Sequence, residues 1–105
     1  YCQPSLSETF GLARLEAMSC GKPVIYTSAG AGENSFTSNG SFGGMVQPRN
    51  SKALALEILK FLKSPSLVKK AGNINRKLVL QFYDWDQIVT RYEGIYRHLL
   101  RSEAN

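Results

Sequence analysis

Two apolar periods alternate along this chain, and their alternation predicts an α/β protein. Over residues 10–20, FGLARLEAMSC, apolar side chains fall on every side of a helix. At about 100° per residue, Leu12, Leu15 and Ser19 share one face while Phe10, Ala13 and Ala17 lie opposite, which predicts a helix enclosed on most sides. Thr9 is the expected N-cap, and Gly21 and Pro23 end the helix. Residues 23–27, PVIYT, form an unbroken β-rich run, the mark of a buried parallel strand. Residues 1–5 read as the end of an earlier strand and the loop leaving it. Residues 28–33, SAGAGE, are a glycine-rich turn; residues 33–39 suit a short helix, and Asn39-Gly40 a turn. Residues 42–46, FGGMV, read as a second strand weakened by two glycines.

Helical periodicity then takes over. Asn50 or Ser51 can cap a helix over residues 52–63, with Leu54, Ile58, Leu59, Phe61 and Leu62 as its apolar stripe. Ser64-Pro65 restarts the chain as a cap followed by proline at the first helical position. That helix is expected to reach Phe82, with Gly72 and Asn73 weakening its middle. After a break at residues 83–86, with Asp84 or Asp86 as cap, a last helix runs to about Leu100. On it Trp85, Ile88, Val89, Tyr92, Ile95, Tyr96 and Leu99 recur at three-to-four spacing. This predicts a stripe packed into the core rather than a base-stacking surface.

The candidate chemistry lies in residues 5–24, SLSETFGLARLEAMSCGKPV. Glu16 is a carboxylate inside the apolar helix, and Arg14, two residues away, points to the other side and is a poor partner. Buried and unpaired, a carboxylate costs several kcal/mol, so Glu16 calls for solvent or a donor from elsewhere. Glu8 stands just before the helix. At about 1.5 Å per helical residue, the two carboxylates bracket a gap of roughly 10 Å. Between them the N–H groups of Phe10, Gly11 and Leu12 sit at the positive end of the helix dipole, a seat for phosphate. Gly11 is expected to let a ligand approach the backbone closely. A phosphate seat flanked by two hydroxyl-seeking carboxylates suits a nucleotide-sugar. The residues alone equally allow Glu8 to be a helix-terminus charge and Glu16 a partly exposed one.

The same stretch resembles the signature of the retaining GT-B glycosyltransferases that use nucleotide-sugar donors. Those proteins carry a Glu, seven residues and a second Glu, here Glu8 and Glu16. Phe10-Gly11-Leu12 follows the first, Glu16-Ala17-Met18 surrounds the second, and Gly21-Lys22-Pro23-Val24 comes after. The resemblance implies that Glu8 takes the hydroxyls of the transferred sugar and Glu16 those of the ribose. It implies that the backbone from Phe10 to Leu12 meets the donor's diphosphate and sugar. Arg14 departs from the usual apolar residue. Gly30, Gly32 and Glu33 loosely match a Gly-Gly turn ending in Glu near the donor pocket, and Trp85 and Tyr96 match aromatic positions of the closing helix.

Composition narrows the remainder. The 105 residues suffice for at most one domain, and 43% hydrophobic content is ordinary for a globular chain. No apolar run approaches the ~18 residues of a membrane span, and no signal-peptide pattern opens the chain. Cys2 and Cys20 lack metal-ligand spacing, so reduced thiols and a cytoplasmic location are expected. The net charge of +5 lies largely on helical stretches, at residues such as Lys60, Lys69, Lys70 and Lys77. Aromatics do not interleave with these cations as a nucleic-acid platform requires, so nucleic acid is not an expected partner. Solvated helix faces are, and a peripheral membrane contact of a full enzyme stays open. His98 stands alone, with no second metal ligand or nucleophile.

The fold expected from residues and resemblance together is a partial Rossmann-like parallel sheet flanked by helices, residues 1–105 forming the C-terminal portion of a GT-B donor-binding domain. Upstream parts and the acceptor domain are expected to lie outside the chain, which begins at Tyr1. The function implied is transfer of a sugar from a nucleotide-sugar to an acceptor with retention. No cofactor or metal is expected beyond the donor itself, and the acceptor is a sugar, lipid or glycan. The isolated fragment is expected to be inactive and to self-associate through its open sheet edge. The rival readings are a non-catalytic nucleotide-binding or interaction fragment and a GT-B phosphorylase.

Overall fold

The computed structural model describes residues 1–29 and 43–103. Its elements are β1 (Cys2–Gln3), α1 (Leu12–Ser19), β2 (Val24–Thr27), β3 (Gly43–Val46), α2 (Ser51–Leu62), α3 (Pro65–Phe82) and α4 (Trp85–Glu103). The strands are parallel in the order β1-β2-β3, with Cys2 opposite Ile25 and Tyr26 opposite Met45. The architecture is the expected α/β one. The expected strand remnant is a short edge strand, pinned where the Ile25 N–H donates to the Tyr1 carbonyl at 2.8 Å. The expected helix at 33–39, the Asn39-Gly40 turn, and Gly30, Gly32, Glu33 and Phe42 lie outside the described residues.

As the central strand, β2 is buried on both faces, in keeping with its apolar run from Val24 to Tyr26. Val24 and Tyr26 pack with Met18, Leu78 and Val79 on one side, and Ile25 packs with Phe61 and Ala71 on the other. Helix α3 contributes to both cores: Ala71 joins one, Leu78 and Val79 the other. It touches the turn that leads into β2. A Cβ on Gly72 would lie 1.9 Å from the Gly21 carbonyl oxygen, and fully buried Asn75 donates its side-chain amide to the Lys22 carbonyl at 3.0 Å. The expected weak middle of this helix is therefore its closest contact, and α3 runs unbroken. Strand β3 needs Gly43 for a similar reason, since a Cβ there would lie 1.8 Å from the Val24 carbonyl oxygen.

The caps follow the expected chemistry. The Asn50 side chain accepts from the Ala53 N–H at 2.9 Å, and Ser64 Oγ accepts from the Leu67 N–H at 3.3 Å, with Pro65 starting α3. On α2 the inward stripe is narrower than expected. Phe61 is buried with Leu54 and Ile58 beside it, while Leu59 and Leu62 face solvent.

Helix α4 contradicts the expected core stripe. Trp85 is 75% exposed, and Val89, Tyr92, Ile95, Tyr96 and Leu99 are exposed as well. Periodicity reports that a face is apolar but not that anything lies opposite it. Here the helix extends along a molecule of 60 × 28 × 18 Å, and among the described residues its stripe is partly covered at Ile88 and exposed at Val89, Tyr92, Ile95, Tyr96 and Leu99. Among those residues no helix is long and apolar enough to cross a membrane.

Candidate functional site

The loop after β1 carries the first carboxylate. Glu8 is half-buried, and its Oε1 accepts from the Thr9 N–H at 3.1 Å. Its Oε2 accepts from Gln3 Nε2, at the end of β1. The loop is also tied to the sheet where Thr27 Oγ1 donates to the Ser5 carbonyl. Gln3 is a partner of Glu8 that sequence reasoning missed. Its only signal was a polar side chain on an otherwise apolar strand, and its partner lies in a loop that periodicity cannot place.

Gly11, not Thr9, is the N-cap of α1. It has φ 85° and ψ 50°, a left-handed conformation, with no side-chain cap bond. A right-handed helix cannot pass through that residue, so α1 opens at Leu12 rather than Phe10. Its first backbone bond runs from the Arg14 N–H to the Gly11 carbonyl at 3.0 Å. The N–H groups of Leu12 and Ala13 precede that bond and stand at the positive end of the helix.

Helix α1 is enclosed along one face and not on most sides as expected. Arg14 is 3% exposed and Met18 fully buried, whereas Leu12, Ala13 and Glu16 face outward. The Arg14 guanidinium lies over the Tyr26 ring, with Cζ 4.5 Å from its centroid, and Nη2 donates to the Phe10 carbonyl at 3.2 Å. Stacking and a backbone acceptor allow the charge to sit where an apolar residue was expected. A Cβ on Gly11 would lie 2.5 Å from Arg14 Nε. Glycine suits the left-handed φ there, and the arginine lies where a Cβ would point. Glu16 is exposed, so its carboxylate is hydrated and needs no buried donor. The ion pairs seen among the described residues, Lys60 with Glu57 and Arg97 with Glu93, leave it out.

Beside that outward face lies a cleft of about 510 Å³. Leu12, Leu15, Glu16 and Ser19 share one wall, as their spacing predicts, and Tyr83 and Trp85 contribute to the other. Phe10 at its rim meets Tyr83 edge-on, with ring centroids 6.2 Å apart. The fold thus brings Phe10, Leu12 and Glu16 together around one concavity, whereas Gly11 is not among its lining residues. Glu8 is not among its walls. The two carboxylates stand in different surroundings, one held by the protein and one left to water.

The sequence profile of the family described as glycosyl transferases group 1 matches residues 1–78. Among curated proteins, the chain is 34% identical over 101 residues to N-acetyl-alpha-D-glucosaminyl L-malate synthase of Bacillus anthracis, covering 96% of this chain and 26% of that protein. It is 29% identical over 100 residues to glycogen synthase of Mycobacterium tuberculosis, covering 95% of this chain and 24% of that protein. Among solved structures it resembles sucrose-phosphate synthase from Thermosynechococcus elongatus, with a TM-score of 0.83 and 32% identity over 96% of this chain and 25% of that one. The chain thus spans about a quarter of the length of the relatives it matches.

Proposed function

The chain belongs to the glycosyl transferases group 1 family, and from that premise we propose that it carries part of the donor site of a retaining GT-B glycosyltransferase. In this reading residues 1–105 are the C-terminal portion of the donor-binding domain. The whole enzyme moves a sugar from a nucleotide-sugar to an acceptor. The observation that carries it is the position of Glu16, an exposed carboxylate on a cleft wall one turn beyond the open N-terminus of α1. A diphosphate at the N–H groups of residues 11–13 would leave the nucleoside ribose within reach of that carboxylate. Glu8, on the other side of the helix start, would take hydroxyls of the sugar being transferred.

The chemistry asked of these residues is modest. As the bond to the anomeric carbon breaks, negative charge grows on the leaving diphosphate, and the helix N-terminus stabilises it without reorganising. Glu8 contributes alignment: held by Gln3 and the Thr9 N–H, it presents its remaining lone pairs in one direction. The test is a panel of UDP-, ADP- and GDP-sugars offered to the whole enzyme, with release of the nucleoside diphosphate and the anomeric configuration of the product followed by NMR. Donor-dependent release with a retained anomer is expected. Release with inversion removes the retaining part of the reading, and no release from any donor removes the reading itself.

A further inference from the structure

Arg14 has no place in the donor contacts proposed above, yet it is almost wholly buried directly against the loop that makes them. A charged side chain in the interior needs partners, and two of those it has are the Tyr26 ring and the Phe10 carbonyl. The second is informative. In a trans peptide the carbonyl and the N–H of the next residue point in opposite directions. By drawing the Phe10 carbonyl inward at 3.2 Å, Arg14 turns the Gly11 N–H outward. Among the described residues that N–H meets no acceptor, although Gly11 itself is buried. A donor so placed is rarely left without a partner in a working protein.

The left-handed turn at Gly11 continues the same arrangement. Its carbonyl accepts from the Arg14 N–H, so backbone and side chain of one residue grip both peptide groups flanking Gly11. An apolar residue at this position would fill the space over Tyr26 but would leave the Phe10–Gly11 peptide free to rotate. We infer that Arg14 is a positioning residue for the donor diphosphate: it holds the Phe10–Gly11 peptide with the Gly11 N–H facing the phosphate seat, so that the seat exists before the ligand arrives. This rests on the donor-site reading proposed above. Preorganisation of this kind strengthens binding of the phosphates specifically, since ordering the loop no longer opposes it.

The experiment compares the whole enzyme with its Arg14→Leu and Arg14→Lys variants. Affinity for UDP, ADP and GDP, each beside its nucleoside, is measured by calorimetry, with thermal melting as the control for folding. A folded Arg14→Leu protein is expected to bind its preferred diphosphate about tenfold to a hundredfold more weakly, as for one lost hydrogen bond to a charged group, with nucleoside affinity unchanged. Arg14→Lys, which can still reach the Phe10 carbonyl, is expected to recover part of the loss. Equal diphosphate affinity in wild type and folded Arg14→Leu would overturn the positioning role while leaving the donor reading intact. Failure of the wild type to bind any of the three overturns the donor reading and this inference with it. If Arg14→Leu does not fold, the glycine-labelled wild type decides. The Gly11 amide proton must shift on saturation with the diphosphate, and an unmoved resonance in a protein that binds it would overturn the proposal.

Discussion

At the scale of single residues, the two motif carboxylates stand in different surroundings. Glu16 is exposed on the cleft wall, whereas Glu8 is anchored by Gln3 and a backbone N–H. Glu16→Ala in the whole enzyme is expected to weaken donor binding by about 1–3 kcal/mol, the worth of one charge-assisted hydrogen-bond group. Glu8→Ala is expected to lower kcat more than donor affinity, because a misplaced sugar spoils alignment at the anomeric carbon. Donor Kd by calorimetry, set beside kcat for each variant, separates the two. Equal losses confined to binding would sink the division of labour. The spacing of these glutamates was legible in the sequence, and so was the leucine face that lines the cleft. Arg14 was not. A pattern argument sends charge outward by default, whereas the ring of Tyr26 and the carbonyl of Phe10 help make an interior guanidinium tolerable at that position.

At the scale of elements, two glycines in helices make opposite predictions from one rule. Helix propensity alone says that Gly→Ala stabilises an interior helical position by about 1 kcal/mol. Gly94 obeys it, since a Cβ there meets nothing within 4 Å, so Gly94→Ala should raise stability by about 0.5–1 kcal/mol. Gly72→Ala reverses the sign, because its Cβ would fall 1.9 Å from the backbone oxygen of Gly21 and force α3 away from the turn. A loss of about 1–3 kcal/mol is expected. Urea midpoints of the two variants make the comparison, and a stabilised Gly72→Ala would show that α3 does not press on that turn. Strand and helix order, with the caps at Asn50 and Ser64, could be read ahead of the structure because each depends on near neighbours. The start of α1 could not. Thr9 has the right side chain, but the left-handed backbone of Gly11 two residues on decides where a helix can begin.

At the scale of the molecule, α4 shows what a local pattern cannot say. Its stripe was legible as apolar, yet burial requires a second surface, and among the described residues none covers it from Val89 onward. The 105-residue chain by itself is therefore expected to associate as its concentration rises, covering Trp85 and Tyr92, and to show no sugar transfer. Sedimentation and the emission maximum of Trp85, the sole tryptophan, follow the first expectation; a nucleotide-release assay on the same sample follows the second. A monomer at every concentration, with unchanging solvent-like emission, would show that the stripe has no affinity for itself. Turnover by the isolated chain would show that the donor half suffices for the reaction.

The course of α3 has a consequence for how this domain comes apart. The sheet separates two apolar clusters, and in many layered proteins such clusters can loosen one at a time. Here a single rigid rod supplies residues to each, with Ala71 in one and Leu78 and Val79 in the other. Fraying either side displaces the rod and strips packing from its opposite number. The two layers are thereby expected to melt as one cooperative unit, with partial opening left to segments the rod does not clasp.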